Sequence, residues 1–246
     1  MGSRSSFPAA SSRSRVLGVA FLLQAITSLI SGLILKLGLV VPGNISESMM
    51  KIANHAWLMR ANILGEMITA AGVILLGAVL FVTLRKQNET VALVALGFYI
   101  LEGAILAASR IAAFSLLRTS QEYAAAGRPA YLQTIGTLAF ASMDFGYTLL
   151  MLPFCLGAIL FYSLLYKSRI VARVLSLWGL ISVFLALLAT LFAICGKEVS
   201  MFVYLPYLPF EFTVGAWILI KGTNTTAEIT AWPILSPSAT SRYRRG

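Results

Sequence analysis

The chain has 246 residues, of which 59% are hydrophobic and 11% are charged, and its mean hydropathy is +0.85. Soluble domains carry about 25% charged residues. The composition therefore excludes an ordinary soluble domain and predicts an integral membrane protein. One histidine, His55, and two cysteines, Cys155 and Cys195, are too few for the usual zinc sites, so we expect neither a metal centre nor a cofactor.

Six segments are apolar and long enough to cross about 30 Å of hydrocarbon as helices, which satisfy their own backbone hydrogen bonds. Their approximate limits are 16–39, 61–84, 91–117, 136–166, 171–195 and 200–220. The fourth segment is longer than a span requires, so we expect its span to begin nearer Phe140 and to be kinked at Pro153. The sequence thus predicts an all-α bundle of six transmembrane helices.

A short helix is predicted in the loop after the first span. Met49, Ala53 and Trp57 recur at every fourth position, which is the spacing of one helical face. We expect this helix, over residues 46–57, to lie in the membrane interface with Trp57 at the depth of the lipid headgroups.

The flanking segments differ in composition from the apolar centre. Residues 1–14 are basic, and residues 223–246 are rich in Ser and Thr and end in an Arg-rich sequence. Both segments have too few apolar residues to form a packed core, and we expect them to be disordered. The transmembrane domain is then residues 15–222.

The basic residues outside the spans indicate the orientation in the membrane. Twelve Lys and Arg residues fall on one side and six on the other, so the positive-inside rule predicts that both termini are cytoplasmic. The same distribution accounts for the net charge of +10. Because aromatic residues are not interleaved with these basic residues, we expect the lipid bilayer, and not nucleic acid, to be the partner.

Ionisable residues inside the predicted spans are the main functional signal. Insertion scales assign roughly 2.5–3.5 kcal/mol to a charge at a helix centre, and the unpaired set would cost on the order of 10 kcal/mol. We therefore expect these residues to surround a polar cavity that opens outward and closes near mid-membrane. The candidate ligand- or proton-binding residues are Glu66, Glu102, Arg110, Asp144 and Glu211. Candidates for lining the cavity are Tyr147, Tyr204 and Tyr207.

Arg110 requires a carboxylate from another helix. Glu102 precedes it by eight residues on the same span, which separates the two by about 12 Å along the axis. Asp144 or Glu66 lies at a similar depth and is the predicted partner, through a bidentate contact. Four acids against one guanidinium leave negative charge in excess, so we expect Glu102 or Glu211 to be protonated at neutral pH.

Two prolines interrupt the sixth predicted span. Pro206 and Pro209 precede Glu211 and are expected to break or bend the helix. Two interpretations remain open. Broken helices in transporters expose backbone carbonyls to ions and substrates near the midplane. Alternatively, the prolines form a kink at the outer end, where Tyr204 and Tyr207 would belong to an interfacial aromatic belt.

The order of these segments resembles a bacterial and archaeal membrane family, domain of unknown function 4386. The resemblance covers residues 13–222 and depends on an ordered series of short sequences, not on one motif. The series includes Arg60-Ala-Asn-Ile-Leu-Gly-Glu66, Asp144-Phe-Gly-Tyr147, Arg173-Val-Leu-Ser-Leu-Trp-Gly179, Pro209-Phe-Glu211 and Trp217-Ile-Leu-Ile-Lys221. It implies a multi-pass protein of a prokaryotic plasma membrane. The family has no assigned activity, so the resemblance leaves the function open.

Three functions remain in competition. The first is a non-enzymatic protein that binds or passes a small cationic or protonatable ligand through the outward acidic cavity. The second is a membrane scaffold or accessory subunit whose intramembrane charges pair only for packing. The third, which we favour least, is an intramembrane enzyme that uses Asp144 and Glu211 as paired carboxylates.

Overall fold

The computed structural model describes residues 12–197 and 199–222. Within them the chain is helical apart from short connections, and no strand is present. The predicted disordered tail, 223–246, and most of the predicted N-terminal segment, 1–14, lie outside the described residues. The described chain is therefore essentially the predicted transmembrane domain.

Seven α-helices follow one another in the described residues, together with one π-helical and one 3-10 segment. They are α1 (Ser12–Leu33), which continues as a π-helix (Ile34–Leu39), α2 (Ile45–Asn54), α3 (Ala56–Leu84), α4 (Glu89–Ala125), α5 (Ala130–Ser168), α6 (Arg173–Ile194), a 3-10 turn (Met201–Val203) and α7 (Tyr207–Lys221).

Five of the six predicted spans are long helices. Helices α1 with its π-helical end, α3, α4, α5 and α6 are each apolar and long enough to cross a bilayer. Many large apolar side chains on them are exposed, as lipid-facing surfaces require. The chain is therefore a multi-pass membrane protein.

The sixth predicted span is not one long helix, so the count of six transmembrane helices is not exact, and the break expected at the two prolines is present. Helix α7 has 15 residues, which gives a length of about 22 Å, short of the roughly 30 Å of a hydrocarbon core. Pro206 lies immediately before α7 and Pro209 lies in its first turn, where the missing amide hydrogens have no helical partner to lose. The prolines thus fix where α7 begins, and the sixth crossing is divided into an irregular part and a helical part.

Helix α7 runs antiparallel to α1. The backbone of Gly18 lies against Leu219, and the backbone of Gly215 lies against Phe21 and Leu22. Both ends of the described chain therefore lie at the same end of the bundle, which agrees with the predicted topology. We call this end the inner end and the opposite one the outer end; that the inner end is cytoplasmic stays a prediction.

The chain between α6 and α7 returns along α6 before it becomes helical. The indole nitrogen of Trp178 donates a hydrogen bond to the carbonyl oxygen of Pro206 at 3.2 Å. Trp178 lies sixteen residues before Ile194, the end of α6, which corresponds to about 24 Å along that helix. Helix α7 consequently occupies the half of the bundle nearer the termini.

Helices α4 and α5 are longer than predicted, at 37 and 39 residues. Leu84, Glu89 and Ser168 are the inner ends of α3, α4 and α5. If they mark the inner boundary of the membrane, a hydrocarbon core of about 30 Å covers about twenty residues of each helix. The outer parts of α4 and α5 then extend beyond the membrane. There they form a second hydrophobic cluster with α2 and the π-helix, which includes Leu35, Leu39, Met49, Ile52, Leu116, Leu117, Tyr123 and Leu132.

The predicted interfacial helix is present as α2, where Asn44 caps the first turn by accepting a hydrogen bond from the Glu47 amide. The predicted apolar face is correct at Met49 and wrong at Trp57. Trp57 belongs to α3, after a break at His55, and is 67% exposed. The buried face of α2 contains Ser48, Met49 and Ile52, and Met49 fits against Gly136 of α5, so α2 packs on the bundle.

A substitution at Gly179 tests the docking of α7 onto α6. An added Cβ would lie 2.5–3.0 Å from ring atoms of the buried Phe210. We expect Gly179→Ala to destabilise the protein by about 1–3 kcal/mol through overpacking, measured as a lower melting temperature in detergent. Gly97→Ala is the matched control, since nothing lies within 4 Å of its added Cβ. Equal melting temperatures for the two variants would contradict this packing.

Candidate functional site

The five candidate residues occupy three different places. Glu66 and Arg110 are joined through Tyr147. Glu102 and Glu211 belong to a second, buried group with several tyrosines. Asp144 is exposed. The structure therefore does not gather all five around one cavity.

The first group, which we call the outer triad, consists of Glu66, Arg110 and Tyr147. The Tyr147 hydroxyl donates a hydrogen bond to Glu66 Oε1 at 2.7 Å and accepts one from Arg110 Nη1 at 3.0 Å. Arg110 Nη2 also donates to Ser109 Oγ at 2.8 Å, and the guanidinium carbon lies 4.7 Å from the centre of the Tyr147 ring. With Glu66 and Arg110 each 3% exposed, the triad is a buried group without net charge.

The three residues of the outer triad lie at similar distances from the inner ends of their helices. Glu66 lies eighteen residues from the inner end of α3, and Arg110 and Tyr147 lie twenty-one residues from the inner ends of α4 and α5. These separations correspond to about 27–32 Å, which is the thickness of a hydrocarbon core. If the inner ends of these helices mark one membrane boundary, the triad lies near the opposite boundary.

Asp144 does not have its predicted role. On α5, the side chains of Met143, Tyr147 and Leu150 face the bundle, and Asp144 is rotated about 100° from Met143. It is also farther from the inner end of the helix than Tyr147 is, where water can hydrate a carboxylate. Of the two predicted partners of Arg110, Glu66 is the one in its group, and the Tyr147 hydroxyl joins them in place of a direct bidentate contact.

The second group, which we call the middle cluster, is built by side chains from α1, α4, α5 and α7. Its members are Gln24, Tyr99, Glu102, Tyr162, Tyr207 and Glu211. Glu102 lies thirteen residues from the inner end of α4 and Glu211 ten from that of α7, or about 15–20 Å. This depth is near the middle of the membrane.

A chain of hydrogen bonds leads through the middle cluster. The hydroxyls of Tyr162 and Tyr207 lie 2.9 Å apart, and the Tyr207 hydroxyl donates to Glu211 Oε1 at 2.7 Å. Tyr99 lies close to Tyr162, and the side chain of Gln24 lies close to the Glu211 carboxyl. Glu211 is thus hydrogen-bonded to Tyr207 and adjoined by Gln24.

Small residues and aromatic rings form tight walls around this cluster. Tyr99 fits between Gly77 and Gly157, where an added Cβ would lie 2.7 Å and 2.8 Å from its nearest atoms. Phe154 meets Tyr207 edge to face at 4.9 Å between ring centres, and Phe210 meets Tyr162 in the same way at 5.1 Å. Well-packed walls of this kind hold the polar groups in fixed positions.

Two buried oxygens of the middle cluster have no hydrogen-bond partner, Glu102 Oε2 and Gln24 Oε1. Glu102 is 5% exposed and Gln24 is 9% exposed. A buried polar atom without a partner costs about 1–3 kcal/mol, and more if it is charged. The carboxylates of Glu102 and Glu211 also repel one another, and no Lys, Arg or His is among the described contacts of the cluster. The site therefore has negative charge in excess.

Most of the chain, residues 16–222, matches the model of a protein family described as "Domain of unknown function (DUF4386)". The chain belongs to the DUF4386 family. No curated protein and no solved structure matches it. The matched residues include the outer triad and the middle cluster of this DUF4386 protein, and the resemblance found in the sequence is confirmed.

Sequence reasoning missed three members of the middle cluster: Gln24, Tyr99 and Tyr162. Gln24 is an isolated amide in an apolar span, and that signal was available. Tyr207 lies in the cluster with its hydroxyl on Glu211, not in an interfacial belt, so the broken-helix interpretation agrees better with the structure. Tyr204 instead lies near Thr190, with 3.4 Å between their hydroxyl oxygens.

Tyr147→Phe tests the outer triad of the DUF4386 protein. It removes the hydroxyl that joins Glu66 and Arg110, and hydrogen bonds to charged groups contribute about 1.5–3 kcal/mol each. We expect a loss of stability of that order, measured as a lower melting temperature. Tyr131→Phe, at an exposed position, should have little effect.

A double-mutant cycle sharpens this prediction. Because Tyr147→Phe and Glu66→Gln alter the same contact, their combined loss should be smaller than the sum by about 0.5–3 kcal/mol. Additive losses would show that Tyr147 does not join the two charges.

Proposed function

We propose that this membrane protein binds a small cation, or a ligand that carries a proton, at Glu102 and Glu211 in the middle cluster. The observation that carries the proposal is the excess of acid in a buried site near mid-membrane. Two carboxyls lie there without a basic residue among their described contacts. Such a site requires protons or a bound cation, because lipid supplies no counterion.

The outer triad supports the proposal by contrast. Glu66 has a cationic partner within its hydrogen-bonded group, through Tyr147 and Arg110. That group can serve packing without any ligand. The middle cluster has no corresponding partner, so it is the better candidate for ligand binding.

The divided sixth crossing supports access from the outer side. Helix α7 occupies the inner half of the bundle and carries Glu211 in its second turn. The chain from residue 199 to residue 206 precedes it without a continuous α-helix. Irregular backbone at membrane depth is tolerated where it is buried in protein or lines a water-filled cavity, and broken helices of this kind adjoin the binding sites of transporters. We place the route of the ligand along this segment.

A scaffold function is the second candidate, and the outer triad is the observation that favours it. Its closed hydrogen bonds join α3, α4 and α5, as a packing device would. The enzymatic alternative has less support, because Asp144 is exposed while Glu211 is buried among tyrosines. For location, the family resemblance and the asymmetry of basic residues favour a prokaryotic plasma membrane.

Thermal stability of the purified full chain in detergent tests the proposal. The probes are the chlorides of sodium, lithium, ammonium, methylammonium and tetraethylammonium, at constant ionic strength with choline chloride as the reference. A ligand at ten times its Kd stabilises by about 1.4 kcal/mol, which corresponds to about 3–6 °C for a domain of this size. We expect such a rise with at least one probe, and its loss in Glu102→Gln/Glu211→Gln.

The matched control is Glu122→Gln/Asp144→Asn, which removes two exposed acids and should keep the rise. The proposal fails if the Glu102→Gln/Glu211→Gln protein gains the full rise, or if none of the five probes stabilises the unmodified protein.

A further inference from the structure

We infer that the middle cluster is a binding site for one dehydrated monovalent metal cation, Na⁺ or Li⁺, with Gln24, Glu102 and Glu211 as its protein ligands. The inference rests on the proposed function and names the class of ligand. It starts from two unpartnered oxygens, Gln24 Oε1 and Glu102 Oε2, each on a side chain more than nine-tenths buried.

The free atom of Gln24 is its amide oxygen, which has no hydrogen-bond partner. The same side chain lies beside the Glu211 carboxyl, where an ionised carboxylate would accept from the amide nitrogen and leave the amide oxygen free. This oxygen is held beside a carboxylate, and only a proton donor or a cation satisfies it there.

The charge of the cluster suits a single positive charge. Glu211 accepts a hydrogen bond from Tyr207, which compensates part of its charge, and it lies beside Gln24. Glu102 has an oxygen without any partner and a like charge nearby. One monovalent ion, with one proton shared by the two acids, leaves the cluster neutral.

The donor atoms and the tight packing of the surrounding rings favour a small, hard ion. The cluster offers carboxylate, amide and hydroxyl oxygens, which suit hard cations. In the part of the chain that the structure describes, no group of three or more His, Cys, Asp or Glu residues can hold a metal, which disfavours a transition metal. The rings around the cluster pack edge to face, and Tyr99 is seated between two glycines, so an organic ammonium ion would have to displace them.

Binding would join three helices. Gln24 lies on α1, Glu102 on α4 and Glu211 on α7. An ion held by all three fixes the short helix α7 against the long helices, and its stabilising effect should therefore appear as global thermal stability.

Two measurements on the detergent-purified full chain test the inference. In a thermal titration at constant ionic strength, NaCl and LiCl should raise the melting temperature in a saturable manner relative to choline chloride. Methylammonium and tetraethylammonium chlorides should not. In equilibrium binding, radioactive ²²Na⁺ should saturate at one ion per chain and be displaced by LiCl.

Variants identify the ligands. Gln24→Met keeps the length of the side chain and both acids but removes the free oxygen, and it should weaken ²²Na⁺ binding at least tenfold. Glu102→Gln should abolish binding, while Glu122→Gln, at an exposed position, should leave it unchanged. If Gln24→Met does not fold, the ²²Na⁺ stoichiometry and the LiCl displacement of the unmodified protein still decide the inference.

Each other outcome has a separate meaning. Stabilisation by methylammonium or tetraethylammonium through Glu102 and Glu211, without ²²Na⁺ binding, overturns the metal site and keeps the proposed function. Displacement of ²²Na⁺ by CaCl₂ at much lower concentration than by LiCl overturns the monovalent assignment. If no probe stabilises the protein and ²²Na⁺ does not bind, both the inference and the proposed function fail.

Discussion

Lipid offers a buried charge neither a hydrogen bond nor a counterion, so each ionisable group in the span must be satisfied by the protein or by what it binds. The structure meets this constraint in two different ways. In the outer triad, Arg110 and Glu66 share the Tyr147 hydroxyl. In the middle cluster, Glu211 is held by Tyr207 and Glu102 retains an unpartnered oxygen. This difference between the two groups, more than the presence of charge, is the basis on which we propose binding at the middle cluster and not at the outer triad.

The fold could be predicted largely from hydropathy, because a run of about twenty apolar residues is required for any helix that crosses lipid. The lengths of α4 and α5 could not. Leu116 and Leu132 are buried in a protein core beyond the estimated membrane boundary, and hydropathy does not distinguish an apolar residue in lipid from one in a core. The interruption of the sixth span could be predicted, since Pro206 and Pro209 permit a helix to begin there but not to pass through.

The candidate acids could also be predicted, because Glu in an apolar span is conspicuous in a sequence. Tyr147 and Tyr207 are also among the predicted cavity-lining residues, but the sequence does not show which groups their hydroxyls join. Tyr147 joins Glu66 to Arg110, and Tyr207 joins Glu211 to the hydroxyl of Tyr162. Asp144 failed because its interior placement depended on helix rotation and depth together, and the sequence specifies neither closely enough to distinguish it from Tyr147, three residues later.

Helix α7 connects the charge of the middle cluster to the shape of the bundle. Glu211 lies near its start, where the chain changes from an irregular segment to a helix, and this part of the crossing has fewer backbone hydrogen bonds to lose than a continuous helix has. Trp178 holds the preceding carbonyl of Pro206, and Gly179 accommodates Phe210 of α7. A change of charge at Glu211 therefore acts where the sixth crossing changes from an irregular segment to a helix, next to two contacts with α6. Because the cation ligands that we infer lie on α1, α4 and α7, occupancy of the cluster and the docking of α7 would be thermodynamically linked, and each would favour the other.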